Sequence, residues 1–418
     1  MRVQRCKGTR DLSPQEMARF RRIENVFRDS CLKWGYQEVK TPTIEYLHLF
    51  TSAGTLTPSM LGRVYSFLDW DGWSGERVVL RPDGTIPVAR LYIDSMADQE
   101  LAKLFYVTNI FIFEETGKKT RERWQCGAEL IGAGSPLADT ELISLSLAIL
   151  KKLGLKDIEL RLSHAGFIRA LLTRLGVSTE QQGKIFDQIL DGNTESLAGI
   201  REQSPELEAA LLPLLNLKGQ APGFLKNWKA LFTRALPETA PYLDDFIRVA
   251  DFLEELGCRY QIDITSGAGF EYYTGVIFQL FVGDEKVGGG GRYDALIPTM
   301  GGGNTAASGF ALYLDRLMDL VKGNGAKPAP AVLVKVCSAE AVKTAFEAAD
   351  RLREEGYIAE LDLGGRGSGV QRWTLEVKGK APAFVLTDKD NSRKAEAKNI
   401  NEVLKSLEEK DADKGRPA

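Results

Sequence analysis

The sequence predicts an α+β fold, with a mainly antiparallel sheet flanked by helices, a helical insertion inside that sheet domain, and a small α/β domain after it. Short β-type runs recur at VVLRP (78–82), LFYVTNIFIF (104–113) and CGAELIG (126–132), the pattern of a meandering sheet. Residues 166–256 then become leucine-rich at helical spacing, with few β-branched residues. Past a Gly/Pro/Lys stretch, a β-α-β-α-β rhythm takes over.

The first helix is well signalled. Ser13, Pro14 and Glu16 supply N-cap, first-turn proline and capping-box acid, and Met17, Phe20, Ile23, Phe27 and Cys31 form an apolar stripe that Gly35 ends. YQEVKTPTIEY (36–46) reads as extended, with Pro42 at a strand edge or bulge because it cannot donate to a ladder. After the three β-type runs come a helix from about Asp139 to Leu153 and a strand IELRLS (158–163). Within the insertion, Tyr242, Phe246, Val249, Leu253 and Leu256 mark a helix packed on one face. Sheet-like sequence returns at YQIDIT (260–265) and YYTGVIFQLFV (272–282), then GGGGRYD (288–294) and a helix near Ala306 to Leu320. The expected domains are thus 1–320, with the insertion at about 166–256, a linker VKGNGAKPAP at 321–330, and a mostly parallel α/β domain at 331–418 with a frayed tail EEKDADKGRPA.

Composition excludes several function classes. The 418 residues are 44% hydrophobic and 27% charged, as in ordinary globular proteins, and more than one core is expected at this length. The longest apolar runs, such as VIFQLFV, fall short of the ~18 residues a membrane span requires. MRVQRCKGTRDLS lacks the apolar stretch of a signal peptide, so a cytoplasmic location is expected. Five scattered cysteines, an odd number with no C-x-x-C pair, argue against a disulfide framework. With only His48 and His164 available, no metal site is expected, and both histidines read as surface or packing residues. A net charge of −3 shows no global nucleic-acid footprint.

Two glycine motifs fail on inspection. GKKT (117–120) lacks the earlier glycine of a phosphate loop and reads as a solvated hairpin tip, and GGRGSG (364–369) does not fit G-x-G-x-x-G and reads as a turn. The dispersed tryptophans Trp70, Trp73, Trp124, Trp228 and Trp373 read as packing rather than a base-stacking platform. Four stretches stand apart. LRPDGT (80–85) gathers Arg81, Asp83 and Thr85 at Pro-Asp-Gly turn chemistry, whose plain reading is a hairpin loop. QCGAELIG (125–132) places Gln125 and Glu129 on one face of a strand where hydrophobes are expected, and inward polar groups need partners. SGAGFEYYTGVIF (266–278) sets Tyr272 and Tyr273 between glycines, and the glycines of GGGGRYDAL let backbone approach a ligand closely.

In order and sequence these stretches resemble the catalytic core of histidyl-tRNA synthetases, a class II synthetase fold. KGTRDLSP with its helix and EVKTPTIE looks like the first class II motif, a dimerisation element; IFIFEETGKKTRERWQCGAELIG looks like the second and SGFALYLDRL (308–317) like the third. The C-terminal rhythm is similar to an anticodon-binding domain. The resemblance covers essentially the whole chain. It implies a histidine-sized pocket, with Asp83 and Glu129 as buried acceptors for an α-ammonium or an imidazole N–H, and Thr85, Gln125, Tyr273 and Tyr293 as neutral hydrogen-bonding groups.

The catalytic half departs from the family pattern. Where the second motif begins F-R-x-E, this chain has F-I-F-E, so Ile112 replaces the arginine on the ATP α-phosphate. Ala268 replaces a second arginine ahead of the paired tyrosines. Losing one donor aimed at a developing oxyanion costs ~10² to 10³ in rate, so losing two charged ones implies little adenylation. Arg121 and Arg316 match retained arginines of the nucleotide side, and Tyr313 stands at a glycine position of the third motif. A synthetase-like body with a histidine pocket and no catalytic residues resembles the ATP phosphoribosyltransferase regulatory subunits. That resemblance implies a non-catalytic partner of the short-form catalytic subunit in the first step of histidine biosynthesis. It also implies L-histidine as effector, no cofactor, and a homodimer through the first motif within a larger hetero-oligomer. The alternatives are a divergent histidyl-tRNA synthetase and a tRNA-binding sensor that uses 331–418.

Overall fold

The computed structural model describes residues 4–412 except 55, 57–60, 70–74, 114–119, 175–217, 265–272, 323–329, 365–370 and 391. It divides into two compact units, Met1–Gly325 and Ala326–Ala418. Ala268, Tyr272, the GKKT lysines and most of GGRGSG lie outside the described residues.

The first unit opens with α1 (Pro14–Lys33), whose capping box forms as predicted: the Ser13 side chain accepts from the Glu16 amide and Glu16 accepts from the Ser13 amide. Gly35 follows with φ +81°, a left-handed conformation that lets the chain leave the helix. The extended stretch that follows breaks into β1 (Gln37–Glu38) and β2 (Ile44–Tyr46), which join different sheets on either side of Pro42. α2 (Leu47–Ser52), β3 (Ser66–Leu68), β4 (Arg77–Leu80) and α3 (Thr85–Ser95) come next, then the long hairpin β5 (Ala102–Phe111) and β6 (Glu122–Ile131). α4 (Pro136–Lys152), β7 (Ile158–His164) and α5 (Ala165–Arg174) lead to the insertion. Its described part contains β8 (Lys218–Gly219), α6 (Pro222–Ala235) and α7 (Ala240–Glu255). β9 (Gln261–Asp263), β10 (Val276–Val282), β11 (Glu285–Arg292), α8 (Leu296–Thr299), β12 (Ala307–Tyr313) and α9 (Leu314–Leu320) complete the unit.

Nine of these strands form one sheet in the order β1-β5-β6-β12-β11-β10-β7-β9-β8. Its centre, from β5 to β7, is antiparallel throughout, and only the β1/β5 and β7/β9 pairs toward the edges are parallel. Residues directly opposite across strands share a face. One register row runs Leu104, Glu129, Gly309, Gly291, Ile277 and Ser163. The next row, on the other face, runs Phe105, Ala128, Phe310, Gly290, Phe278 and Leu162. That second face is the core: Phe27 of α1 meets Phe105 and Phe310 edge-on at 5.9 and 6.4 Å. The first face carries the polar residues.

One expectation here is corrected. Ala306 to Leu320 is not one helix: Ala307–Tyr313 is a buried central strand, and only Leu314–Leu320 is helical. SGFALY fits a strand covered on both faces, whose unbroken apolar run imitates a helix.

In the second unit, β13 (Ala331–Val336), α10 (Val342–Glu354), β14 (Ile358–Leu361), β15 (Trp373–Val377), β16 (Phe384–Asp388), β17 (Lys394–Ala397) and α11 (Ile400–Ala412) build a sheet of order β14-β13-β15-β16-β17. β13 pairs parallel with β14 and β15, but β15/β16 and β16/β17 are antiparallel, so the domain is mixed rather than mostly parallel. WTLEV and KAEA supply the two strands not expected. α11 carries helix through Ala412, and the rest of the expected frayed tail lies outside the described residues.

Candidate functional site

LRPDGT is not a hairpin loop. It joins β4 to α3, and the Asp83 carboxylate accepts from the Ile86 amide at 2.8 Å, capping the helix start. Arg81 fixes this turn from behind. Its buried guanidinium donates to the carbonyls of Thr41 (2.9 Å), Pro42 (2.8 Å) and Asn109 (2.8 Å) and to the Asn109 side chain (2.9 Å), tying it to the stretch before β2 and to β5. Thr85 is thereby aimed at β6.

On the polar face of the sheet the row around Glu129 is built largely from glycine, and this makes the space. A Cβ on Gly309 would run into Glu129 Oε2, one on Gly291 would press on the Tyr273 ring at 3.0 Å, and one on Gly127 would strike Tyr106. Into that space Glu129 projects with only 1% exposure. Its Oε1 accepts from Thr85 Oγ1 at 2.9 Å and from the Tyr106 hydroxyl at 3.1 Å, and its Oε2 accepts from the Tyr293 hydroxyl. Gln125, two repeats along the same face of β6, reaches the Tyr106 hydroxyl with Nε2 at 3.4 Å. Tyr273 is buried in the same neighbourhood, within electrostatic reach of both Glu129 and Asp83.

All six residues expected around a ligand, Asp83, Thr85, Gln125, Glu129, Tyr273 and Tyr293, are therefore brought together. Tyr106 belongs with them although the sequence did not single it out. Its position is set by pairing with Gly127 across β5/β6, a register the sequence alone does not give.

Electrostatically this is a pocket of acids. Burial pushes the Glu129 carboxyl up to about 8, outweighing the hydroxyls of Tyr293 and Thr85 that favour its charged form, and nearby Asp83 pushes it further up. Asp83 is itself raised to about 6 by burial, although the residue as a whole keeps some exposure. Burial, with Tyr313, Glu129 and Asp83 nearby, also holds the Tyr273 phenol well above its ordinary value. Among the described residues no lysine or arginine forms an ion pair with Glu129 or Asp83. Two buried acids, hydroxyl donors and missing basic partners favour a ligand that brings its own positive charge or N–H donors.

The nucleotide side is built differently. Ile112 is half-buried, and its backbone bridges to Val64. Arg121 is held by the N-terminal segment: its amide donates to the Gly8 carbonyl at 2.7 Å, and its guanidinium lies 4.8 Å over the Phe113 ring and 3.4 Å from the Tyr65 hydroxyl. Arg316 is exposed and pairs at 3.5 Å with Glu285 at the start of β11. Neither arginine contacts the acid cluster. Among the described residues no group of three His, Cys, Asp or Glu side chains is arranged to hold a metal ion, and no helix is long and apolar enough to cross a membrane.

The fold has known counterparts. A family model described as histidyl-tRNA synthetase matches residues 8–317. An ATP phosphoribosyltransferase regulatory subunit from Dehalococcoides mccartyi strain BAV1 is 52% identical over 404 residues, covering 96% of this chain and 98% of the relative. The histidine--tRNA ligase of Methanocaldococcus jannaschii is 32% identical over 370 residues, covering 87% of this chain and 86% of the relative. A solved structure from Bacillus halodurans, described as an ATP phosphoribosyltransferase regulatory subunit/histidyl-tRNA synthetase, superposes with TM-score 0.72 at 27% identity, covering 87% of this chain and 93% of that one. The histidyl-tRNA synthetase of Nostoc sp. PCC 7120 gives TM-score 0.74 at 18% identity over 98% of this chain and all of that one, and so shows the shared fold alone. With half its residues identical over nearly the full length of a regulatory subunit, the chain belongs to the ATP phosphoribosyltransferase regulatory subunits of the histidyl-tRNA synthetase family.

Proposed function

We propose that this protein is a non-catalytic regulatory subunit that binds L-histidine in the Glu129 pocket and, through a short-form ATP phosphoribosyltransferase partner, adjusts the first step of histidine biosynthesis. The observation that carries this reading is the buried Glu129, ringed by Thr85, Tyr106 and Tyr293 and facing Asp83, with no ion-paired cation among the described residues. An α-ammonium and an imidazole N–H meet the needs of those two acids, and Gln125 and Tyr273 line the approach.

The absence of catalysis follows from charge. Ile112 puts an alkyl group where phosphate needs compensation, Ala268 removes a second cation, and Arg121 is engaged with Gly8, Phe113 and Tyr65. The protein acts through a difference in histidine affinity between free and partnered states, and linkage makes that difference reciprocal. A homodimer through the first motif is supported by the three-stranded sheet β2-β4-β3, where Ile44, Tyr46, Phe67 and Leu68 stand exposed.

The test is reconstitution with the short catalytic subunit. We expect the complex to form, phosphoribosyl transfer to require it, histidine to inhibit it, and Glu129→Gln to assemble normally but resist histidine. Histidine-dependent exchange of pyrophosphate into ATP at synthetase-like rates would instead favour a divergent histidine--tRNA ligase, and failure to bind the catalytic subunit would favour a tRNA-linked sensor.

A further inference from the structure

Behind the tyrosines, on the helix-covered face of the sheet, lies a second polar cavity of about 440 Å³. Side chains alternate across a strand, so the residues beside the pocket tyrosines turn the opposite way. Tyr293 faces Glu129, whereas Arg292 reaches Asp139 of α4 and, at 3.0 Å, Asp245 of α7. Thr274, next to Tyr273, accepts from the Asp294 amide at 2.9 Å. The cavity is lined by His164, Gly166, Arg169, Tyr242, Asp245 and Arg292, together with Thr274, Gly275 and Asp294 behind them.

His164 is the telling residue. It is 2% exposed, and its Nδ1 accepts from the Phe167 amide at 3.2 Å, so in the neutral ring the proton sits on Nε2. That Nε2 is buried, lines the cavity and makes no hydrogen bond; the nearest acid, Asp245 Oδ2, is 3.5 Å away, close enough for charge attraction but not aligned to accept. Burial lowers the His164 pKa, leaving the ring a neutral N–H donor without an acceptor. The Asp245 carboxyl is held below its ordinary value: burial opposes this, but the neighbouring His164 ring and the charge of Arg292 outweigh it.

The wall offers both signs. Arg169 and Arg292 balance Asp245 and Asp294, and α5, ten residues long, begins at Ala165 so that its positive end opens on the cavity beside His164. A simple anion would meet Asp245, and a simple cation would meet Arg169 and the helix end. A zwitterion satisfies both. In an α-amino acid one carbon separates ammonium from carboxylate, so its site needs a donor and an acidic acceptor side by side, as His164 Nε2 and Asp245 Oδ2 are. We propose that this cavity is a second ligand site, distinct from the Glu129 pocket and back to back with it, that takes a free α-amino acid with its carboxylate toward His164, Arg169 and the α5 N-terminus and its ammonium toward Asp245 and Asp294.

The test uses the full-length Glu129→Gln protein, in which the first pocket is weakened, and titrates each of the twenty proteinogenic amino acids by calorimetry up to 10 times an affinity of about 1 mM; any first-pocket signal is the part that the second-site variants below leave unchanged. We expect at least one to bind with a stoichiometry of one per chain, and Asp245→Asn to weaken it about tenfold or more. Arg169→Gln should weaken the same ligand, and the melting temperature of each variant, measured without ligand, separates lost binding from lost folding. The proposal is overturned if none of the twenty binds, or if the binding seen is unchanged in both variants while they remain folded. The reading of the first pocket is judged separately, by histidine binding to the wild-type protein that Glu129→Gln weakens about 10²-fold.

Discussion

The two ends of β6 are chemically opposite. At Glu129 the strand lies deep in the sheet, glycines on its neighbours open space, and every polar atom of the carboxylate has a hydroxyl partner. Seven residues earlier, at Glu122 and the adjoining Arg121, side chains are partly exposed and satisfied locally: Glu122 accepts from Asn109 at 2.8 Å, Arg121 stacks on Phe113, and Ile112 has no charge to offer. One end is a buried, fully hydrogen-bonded cluster and the other an ordinary protein surface. The two ends can therefore change independently, because they are supported by different residues.

The sharpest way to break that comparison is at Glu129. Glu129→Gln keeps the shape and still accepts on one side, from Thr85 and Tyr106 or from Tyr293, but it turns the other oxygen into an N–H donor and removes the charge that would neutralise a ligand cation. Truncating one partner of a buried charged pair costs ~2–5 kcal/mol, so histidine affinity should fall about 10²-fold or more, measured by calorimetry. An unchanged affinity would place the ligand elsewhere. At the opposite end, Ile112→Arg alone should leave histidine binding unaltered and ATP-pyrophosphate exchange at background, because the position of Ala268 still lacks its cation.

Protonation gives the next largest effect. With the Glu129 carboxyl at about 8 in the empty pocket, most of the population holds its proton at pH 7, and a bound ammonium or imidazole N–H favours the carboxylate. Histidine should therefore bind with release of close to one proton at pH 7, and affinity should rise from about pH 6 to 8; calorimetry in buffers of different ionisation enthalpy reads both. The empty fold should respond in the opposite sense. A carboxyl raised by folding binds more protons native than unfolded, so stability falls as pH climbs from the ordinary carboxyl range through about 8. Asp83 and Asp139, raised to about 6 and about 7, add to the same slope, so Glu129→Gln should flatten the melting profile rather than abolish its pH dependence.

A smaller effect is expected at the pocket floor. Gly309→Ala sets a methyl against Glu129 Oε2, so the carboxylate must shift away from Tyr293. We expect histidine affinity to fall about tenfold, with some loss of melting temperature, since the neighbouring wall is backbone and a packed carboxylate that cannot simply rotate away.

Much of this pocket was legible in the sequence because its chemistry violates strand patterning. Gln125 and Glu129 stand where alternation calls for hydrophobes, and such residues in a buried strand announce a partner. Tyr106 was not legible, since an aromatic in LFYVTN is ordinary core until its register against Gly127 is known. The same holds for His164, Asp245 and Arg292, which lie far apart in sequence and meet only because β7, α7 and β11 converge. In the second unit the alternation of WTLEV and KAEA was too short to separate from loop, and the antiparallel half of the sheet went unpredicted. The single helix expected at Ala306 to Leu320 failed for a related reason: a strand covered on both faces loses the period of two that would identify it.

The smallest predicted effect sharpens the contrast from the nucleotide side. Arg316 matches a retained arginine of the third motif, yet its guanidinium is more than half exposed and sits 3.5 Å from an equally exposed Glu285. Exposed pairs of this kind contribute ~0–1 kcal/mol because water screens the charges and both long side chains lose freedom in pairing. Arg316→Ala should therefore change the melting temperature by no more than about 2 °C and leave histidine affinity within about twofold. If histidine affinity instead dropped with Glu129→Gln-like severity, the two ends of β6 would be energetically coupled, and independent support of the two would be the wrong account.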